Sequence, residues 1–317
     1  MSKTVFRALL AAALCLALLP PAAAQDLSLR VPAYRPTLEQ ETRYRVEVEA
    51  SVDSHGLLGG AGAMTSVFHD RLTVLSAGVE GFQMRWRIDL PPPQKGESGL
   101  YVIVRDRLSA FGKDSIVVAT DKRGAPQRVE NLDALRQNVQ ARFDAEAESP
   151  ENIKARLRTV LAKLQPGSLF PVEVLAPPAR VFADGQQAQD NEFDIGVSHT
   201  SNAEGRINEA SVPFKVTTRV DKDAAANVAI FKWTKLFDPQ LLADAWRESI
   251  NRDVATLKGK RPDLTPEKLA EFSGASLSIS TTVRVSLDDG VAVFAEEIVD
   301  NRVGPTFTHN VLRASRE

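Results

Sequence analysis

Cysteine is nearly missing from this chain. The single copy in 317 residues is Cys15, inside an apolar run close to the N-terminus that reads as a removable leader. A chain without that run has no disulfide, no catalytic thiol and no cysteine-bound zinc, so its core alone must hold the fold. Cys15 follows Leu14 rather than a small residue and sits in the middle of the run, which argues against lipid attachment. Histidine is almost as scarce. The four copies are His55, His69, His199 and His309, none close to another, and HExxH does not occur. Long apolar runs are missing beyond Ala8–Leu19, which Pro20–Pro21 end short of the roughly 20 residues a membrane helix needs. Neither sign of charge dominates: 39 basic residues face 41 acidic ones, a balance that favours neither nucleic acid nor an anionic membrane.

Motifs that carry chemistry are missing as well. The glycine cluster at 59–62 (GGAG) lacks the Lys-Ser/Thr of a phosphate loop, and SGAS at 273–276 is not a serine elbow. The acidic stretch 184–194, with Asp184, Asp190, Glu192 and Asp194, does not have the ligand spacing of a calcium loop and reads as a polar loop. The sequence therefore nominates no catalytic residue, no metal ligand and no cofactor.

The leader itself is well formed. Lys3 and Arg7 precede the apolar run, and Ala22–Ala24 offers small residues before cleavage. Residues 1–24 are expected to be removed, placing the mature chain in the periplasm, with secretion as the alternative and no transmembrane segment after cleavage.

Beyond the leader, period-two alternation marks strands. Tyr44, Val46, Val48, Ala50 and Val52 oppose Arg45, Glu47, Glu49 and Ser51. Phe68–Val74 is extended, after a glycine-rich connection at 55–64. Phe82, Met84, Trp86, Ile88 and Leu90 form another dry face, stopped by Pro91–Pro93. Residues 100–111 fit strand or helix, and 115–130 read as a strand, a turn at Asp121–Gly124 and a short extended piece.

The period then becomes helical. Leu132, Leu135, Val139 and Phe143 share a stripe, and Ser149–Pro150–Glu151 opens a second helix reaching Leu164. Strands return with Phe214–Val220 and 227–234. Asp238–Pro239 starts a helix expected to bury Leu241, Leu242, Ala245, Trp246 and Ile250, and Thr265–Pro266–Glu267 starts a very short one. Leu277–Leu287 alternates, turns at Asp288–Asp289–Gly290 and continues through Val291, Val293 and Ala295.

This order predicts an α+β fold in which a twisted antiparallel sheet, or two, packs against a few helices and is able to curve into a half-barrel. Residues 25–168 and 169–317 form two β-rich parts, either separate or continuous. Trp86, Phe231, Trp233 and Trp246 are the ligand-binding candidates: Trp86 and Trp246 lie on apolar faces, and the strand of Phe231 and Trp233 is apolar on both sides, as a strand covered twice is. The leading reading is a noncatalytic exported protein whose partner is an apolar small molecule or an envelope protein. A hydrolase assembled only in three dimensions and a protein-binding assembly module are the alternatives.

Overall fold

The computed structural model describes residues 28–32, 34–54, 61–89, 115–122, 124, 126–145, 192–207, 210–257 and 274–317. The leader, the 100–111 segment, the helix opening at Ser149, the acidic stretch before Glu192 and the short helix at Thr265 lie outside them.

The strands are β1 (Ser28–Arg30), β2 (Glu41–Ser54), β3 (Gly62–Ala77), β4 (Phe82–Asp89), β5 (Ile116–Thr120), β6 (Pro126–Val129), β7 (Glu192–Asp194), β8 (Ser198–Ile207), β9 (Ala210–Asp223), β10 (Val228–Phe237), β11 (Ala275–Ser286), β12 (Ala292–Val303) and β13 (Thr306–Arg316). Among the described residues the helices are α1 (Leu132–Ala145) and α2 (Pro239–Leu257).

A large antiparallel sheet packed against few helices is the architecture. Eleven strands run in the order β6-β5-β4-β3-β2-β13-β12-β11-β10-β9-β8, and β1 pairs with β7 in a separate ribbon. The first meander grows outward from β2 to β6. The second begins at the opposite edge with β8 and returns inward until β13 pairs with β2 from Arg316↔Tyr44 to Thr306↔Ser54. Strands from residues 25–168 and 169–317 therefore share one sheet. Among the described residues β6 and β8 have one neighbour each, so the sheet is open.

Register carries the alternation of single strands into a face common to the whole sheet, because directly opposed residues point the same way. Tyr44, Val46 and Val48 stand opposite Asp70, Phe68 and Ser66 on one side. On the other they oppose Arg316, Ala314 and Leu312. Three clusters cover parts of this dry face. Leu135 of α1 packs with Phe68, Trp86, Ile116 and Val118. Leu29, Val31 and Phe193 of the ribbon pack on Phe231, Val283 and Ala295, with the Phe193 and Phe231 rings edge to face at 5.1 Å. Leu242, Ala243 and Ala245 of α2 pack on Val212, Phe214, Val216 and Phe237.

Local chemistry places both helices. Asn131 ties α1 to the sheet, its amide donating to the Ser115 carbonyl at 2.7 Å while its oxygen accepts from the Val117 amide at 2.9 Å. Asp238 caps α2 by accepting from the Gln240 and Leu241 amides at 3.0 and 2.9 Å, and Pro239 follows as first helical residue.

Four details differ from the sequence expectation. The connection at 55–64 ends earlier than its glycines suggest, since β3 starts at Gly62. Leu241 is 46% exposed, and Ala243 takes its place on the buried side of α2. The polar stretch from Ser198, to which the sequence pattern assigns no element, is the strand β8. A bulge at Arg284/Val285 sets Val285 opposite Ala292 and Val283 opposite Ala295, so the dry face carries Ala292 and Ala295 rather than an unbroken Val291, Val293, Ala295 alternation.

Candidate functional site

Between the three clusters the dry face is only partly covered. On β2, β12 and β13 the aliphatic side chains Val48, Ala50, Val52, Val299 and Leu312 are half-buried, and Asn310 among them is exposed. The register sets them side by side: Val299↔Asn310↔Ala50 in one row, and Leu312↔Val48 in the next. The wet face of these strands is built differently. Arg313 donates to Glu296 at 2.7 Å and to Glu49 at 2.6 Å, and these bonds hold its guanidinium above its usual pKa. Arg313 thus joins two carboxylates on one side of the central strands, where Val311 is buried and Ile298 half-buried in the next row, while the other side presents the half-buried aliphatics.

Polar groups interrupt the dry face at several places, Asn310 and Glu297 among them, and two lie against packed clusters. Near α2, Lys235 stands between Val216 and Ile279 in register. It is half-buried, and its Nζ lies 5.7 Å from the centroid of the Phe214 ring. No carboxylate of the described residues forms an ion pair with it. Thr281, 3% exposed, is on the neighbouring strand in the next row, opposite Trp233. Its hydroxyl has no hydrogen-bond partner, and neither does the buried indole nitrogen of Trp246 on α2. Trp246, Trp233, Leu277 and Ile279 all border the same α2 cluster, and the register sets Lys235 beside Ile279 and Thr281 beside Trp233 on that face. Glu297, opposite Thr281 on the far side, is already engaged.

The second interruption is Asp70. It is 1% exposed and lies between Tyr44 and Ile88. Burial pushes its carboxyl up to about 8, offset in part by the Trp86 indole and reinforced by Asp89.

A cleft of about 550 Å³ opens where β9 and β11 start and β10 ends. Its polar row, Asn202–Lys215–Leu236–Ser278–Asp300, crosses five adjacent strands in register on the wet face. Leu236, 53% exposed, and Phe307 supply apolar surface there. Beside it, His309 Nδ1 and Asp300 Oδ1 are 2.6 Å apart. Ser51, opposite His309 in register, donates to the His309 backbone carbonyl at 3.5 Å rather than to the ring. The pair is a cross-strand contact on an open face, without a hydroxyl held by the imidazole.

The four aromatic candidates do not form one site. Trp86 is buried in the α1 cluster and Phe231 in the ribbon cluster. Trp233 borders both the ribbon and α2 clusters, and Trp246 joins it at the second. None of the four lines the cleft. Lys235, Thr281 and Asp70 were not singled out from the sequence. A charged residue at a dry position in an alternating strand, as in Phe68-His-Asp70-Arg-Leu72, is the signal that would have found Asp70.

No family model matches the chain, and no curated protein matches it. Nine chains of solved structures do. One is lipovitellin, in a structure describing lipid–protein interactions in that protein, at 6% identity and a TM-score of 0.40 over 89% of this chain and 25% of that one. This chain thus spans a quarter of the lipovitellin chain. A likeness this distant does not transfer a ligand. Among the described residues no helix is long and apolar enough to cross a membrane.

Proposed function

We propose that the protein binds an apolar, lipid-like molecule on the dry face of its sheet, as a noncatalytic binding protein of the periplasm. The observation that supports this is the half-buried aliphatic strip on β2, β12 and β13 between three packed clusters. Aliphatic surface left partly in water is unfavourable by roughly 25 cal/mol per Å², and a ligand laid along it would recover that free energy. Contiguous apolar surface with a few polar groups is also how small-molecule sites are usually lined.

The test is Nile red binding to the full chain after solvent extraction, with native mass spectrometry before extraction to detect any adduct. Wild type should bind the probe, and Ala50→Glu should lose it while keeping its circular dichroism. Absence of both adduct and probe binding would overturn the reading. The cleft with exposed Leu236 and Phe307 favours a second reading, docking of a protein segment. Under it, Leu236→Asp would abolish capture of a partner and leave Nile red binding intact.

A further inference from the structure

The dry face holds a cation with no carboxylate partner among the described residues. A lysine whose stem lies on apolar surface ordinarily extends its ammonium into water. Lys235 instead is half-buried on the covered side of β10, its Nζ directed over the Phe214 ring. The Thr281 hydroxyl on the next strand and the Trp246 indole nitrogen of α2 are buried donors without acceptors. Buried polar groups left unpaired cost free energy, so several in one patch call for a missing acceptor. A neutral apolar molecule would leave all of them unsatisfied.

We infer that the ligand is a long-chain carboxylate, its head held by Lys235, Thr281 and Trp246 and its chain lying across the strands over Ile279, Val299 and Ala50. This rests on the apolar-ligand reading above and adds the head group to it. The two oxygens of a carboxylate accept from an ammonium and from neutral donors together, and the charge-assisted bond to Lys235 is the strongest of these. The row Lys235–Ile279–Val299–Asn310–Ala50–Met64 runs perpendicular to the strands. It gives the chain a track about 24 Å long at about 4.8 Å per strand. Asn310, exposed midway, leaves that part of the ligand open to solvent.

The experiment compares oleate with oleyl alcohol on the extracted full-length protein by calorimetry. Wild type is expected to bind oleate about tenfold more tightly, the scale of one charge-assisted bond. Lys235→Met should reduce oleate to the level of the alcohol and leave the alcohol unchanged. Lys235→Arg should retain the preference, which separates loss of charge from loss of fold. Lys215→Met, on the wet face, should alter neither. Oleate binding by Lys235→Met equal to wild type would overturn the head-group assignment while the apolar site stands. Oleyl phosphate preferred over oleate would replace the carboxylate by a phosphate and overturn it too. Wild type binding neither chain would remove both readings.

Discussion

Asp70 shows how one side chain writes a pH dependence into a fold. Its carboxyl titrates near 3.8 when unperturbed and near 8 in the folded protein, chiefly because burial disfavours the charge. Between those values the folded chain keeps a proton that the unfolded chain has released. Stability from this group is therefore whole below about pH 4 and falls as pH rises, by about 1.4 kcal/mol per unit, until it is gone above about pH 8. Asp70→Asn, which is neutral at every pH, should flatten this slope and exceed wild type in stability at pH 8. Urea unfolding of both proteins at pH 5 and pH 8 measures it. Parallel slopes would mean that Asp70 is not neutral in the folded state.

At the scale of elements, α2 carries the sharpest expectation. Asp238 accepts two amides of its first turn, so Asp238→Ala should cost about 1 kcal/mol and lower the unfolding midpoint by roughly 2–4 °C in a chain of this size. An unchanged midpoint would show that packing of Leu242 and Ala245 places the helix without its cap. This start was legible because a cap residue and a proline at the first helical position precede a stripe of helical period. Strands β2, β4 and β11 were legible for a similar reason: each sets apolar against polar residues with period two, and the register preserves that division. Strand β8 was not. Its dry positions include Ser201, Ala203 and Gly205, and the apolar cover comes from elsewhere. A Cβ on Gly205 would stand 3.2 Å from both the Phe214 and the Phe237 ring, so those rings fill the space that a side chain of β8 would otherwise occupy. Leu241 was misplaced because helical spacing gives two adjacent leucines nearly equal claim on a stripe, and only the sheet beneath decides between them. The aromatic candidates were chosen for their places on apolar faces, and the fold distributes those faces over three clusters, with Trp86 and Phe231 inside theirs and Trp233 and Trp246 at the borders. Lys235 was hidden by its neighbours: in FKWTKLF one lysine points to water and the other to the dry face, and telling them apart takes the phase that β9 and β11 impose.

At the scale of the whole molecule the decisive contact is the β2–β13 seam, where residues near the two ends of the described chain join the meanders. Eleven residue pairs close it. Arg313 bridges it to Glu49 at 2.6 Å, and the buried Tyr44 hydroxyl donates to the Ala292 carbonyl at 3.0 Å. Leu312 packs against both the ribbon and the α1 clusters, so two cores share a residue across the join. A seam this long makes independent unfolding of either meander unfavourable, because it would bare a row of unpaired backbone groups on the other. The tryptophans report on opposite sides of the seam: Trp86 on the first meander, Trp233 and Trp246 on the second. Fluorescence of a variant keeping only Trp86 and of one lacking only Trp86 should therefore give coincident unfolding curves, each matching far-UV circular dichroism on the same protein. Separated transitions would mean that the meanders are energetically distinct. The substitution Leu312→Ala should then lower the single shared midpoint in both reporters equally, since the cavity it leaves opens toward both clusters at once.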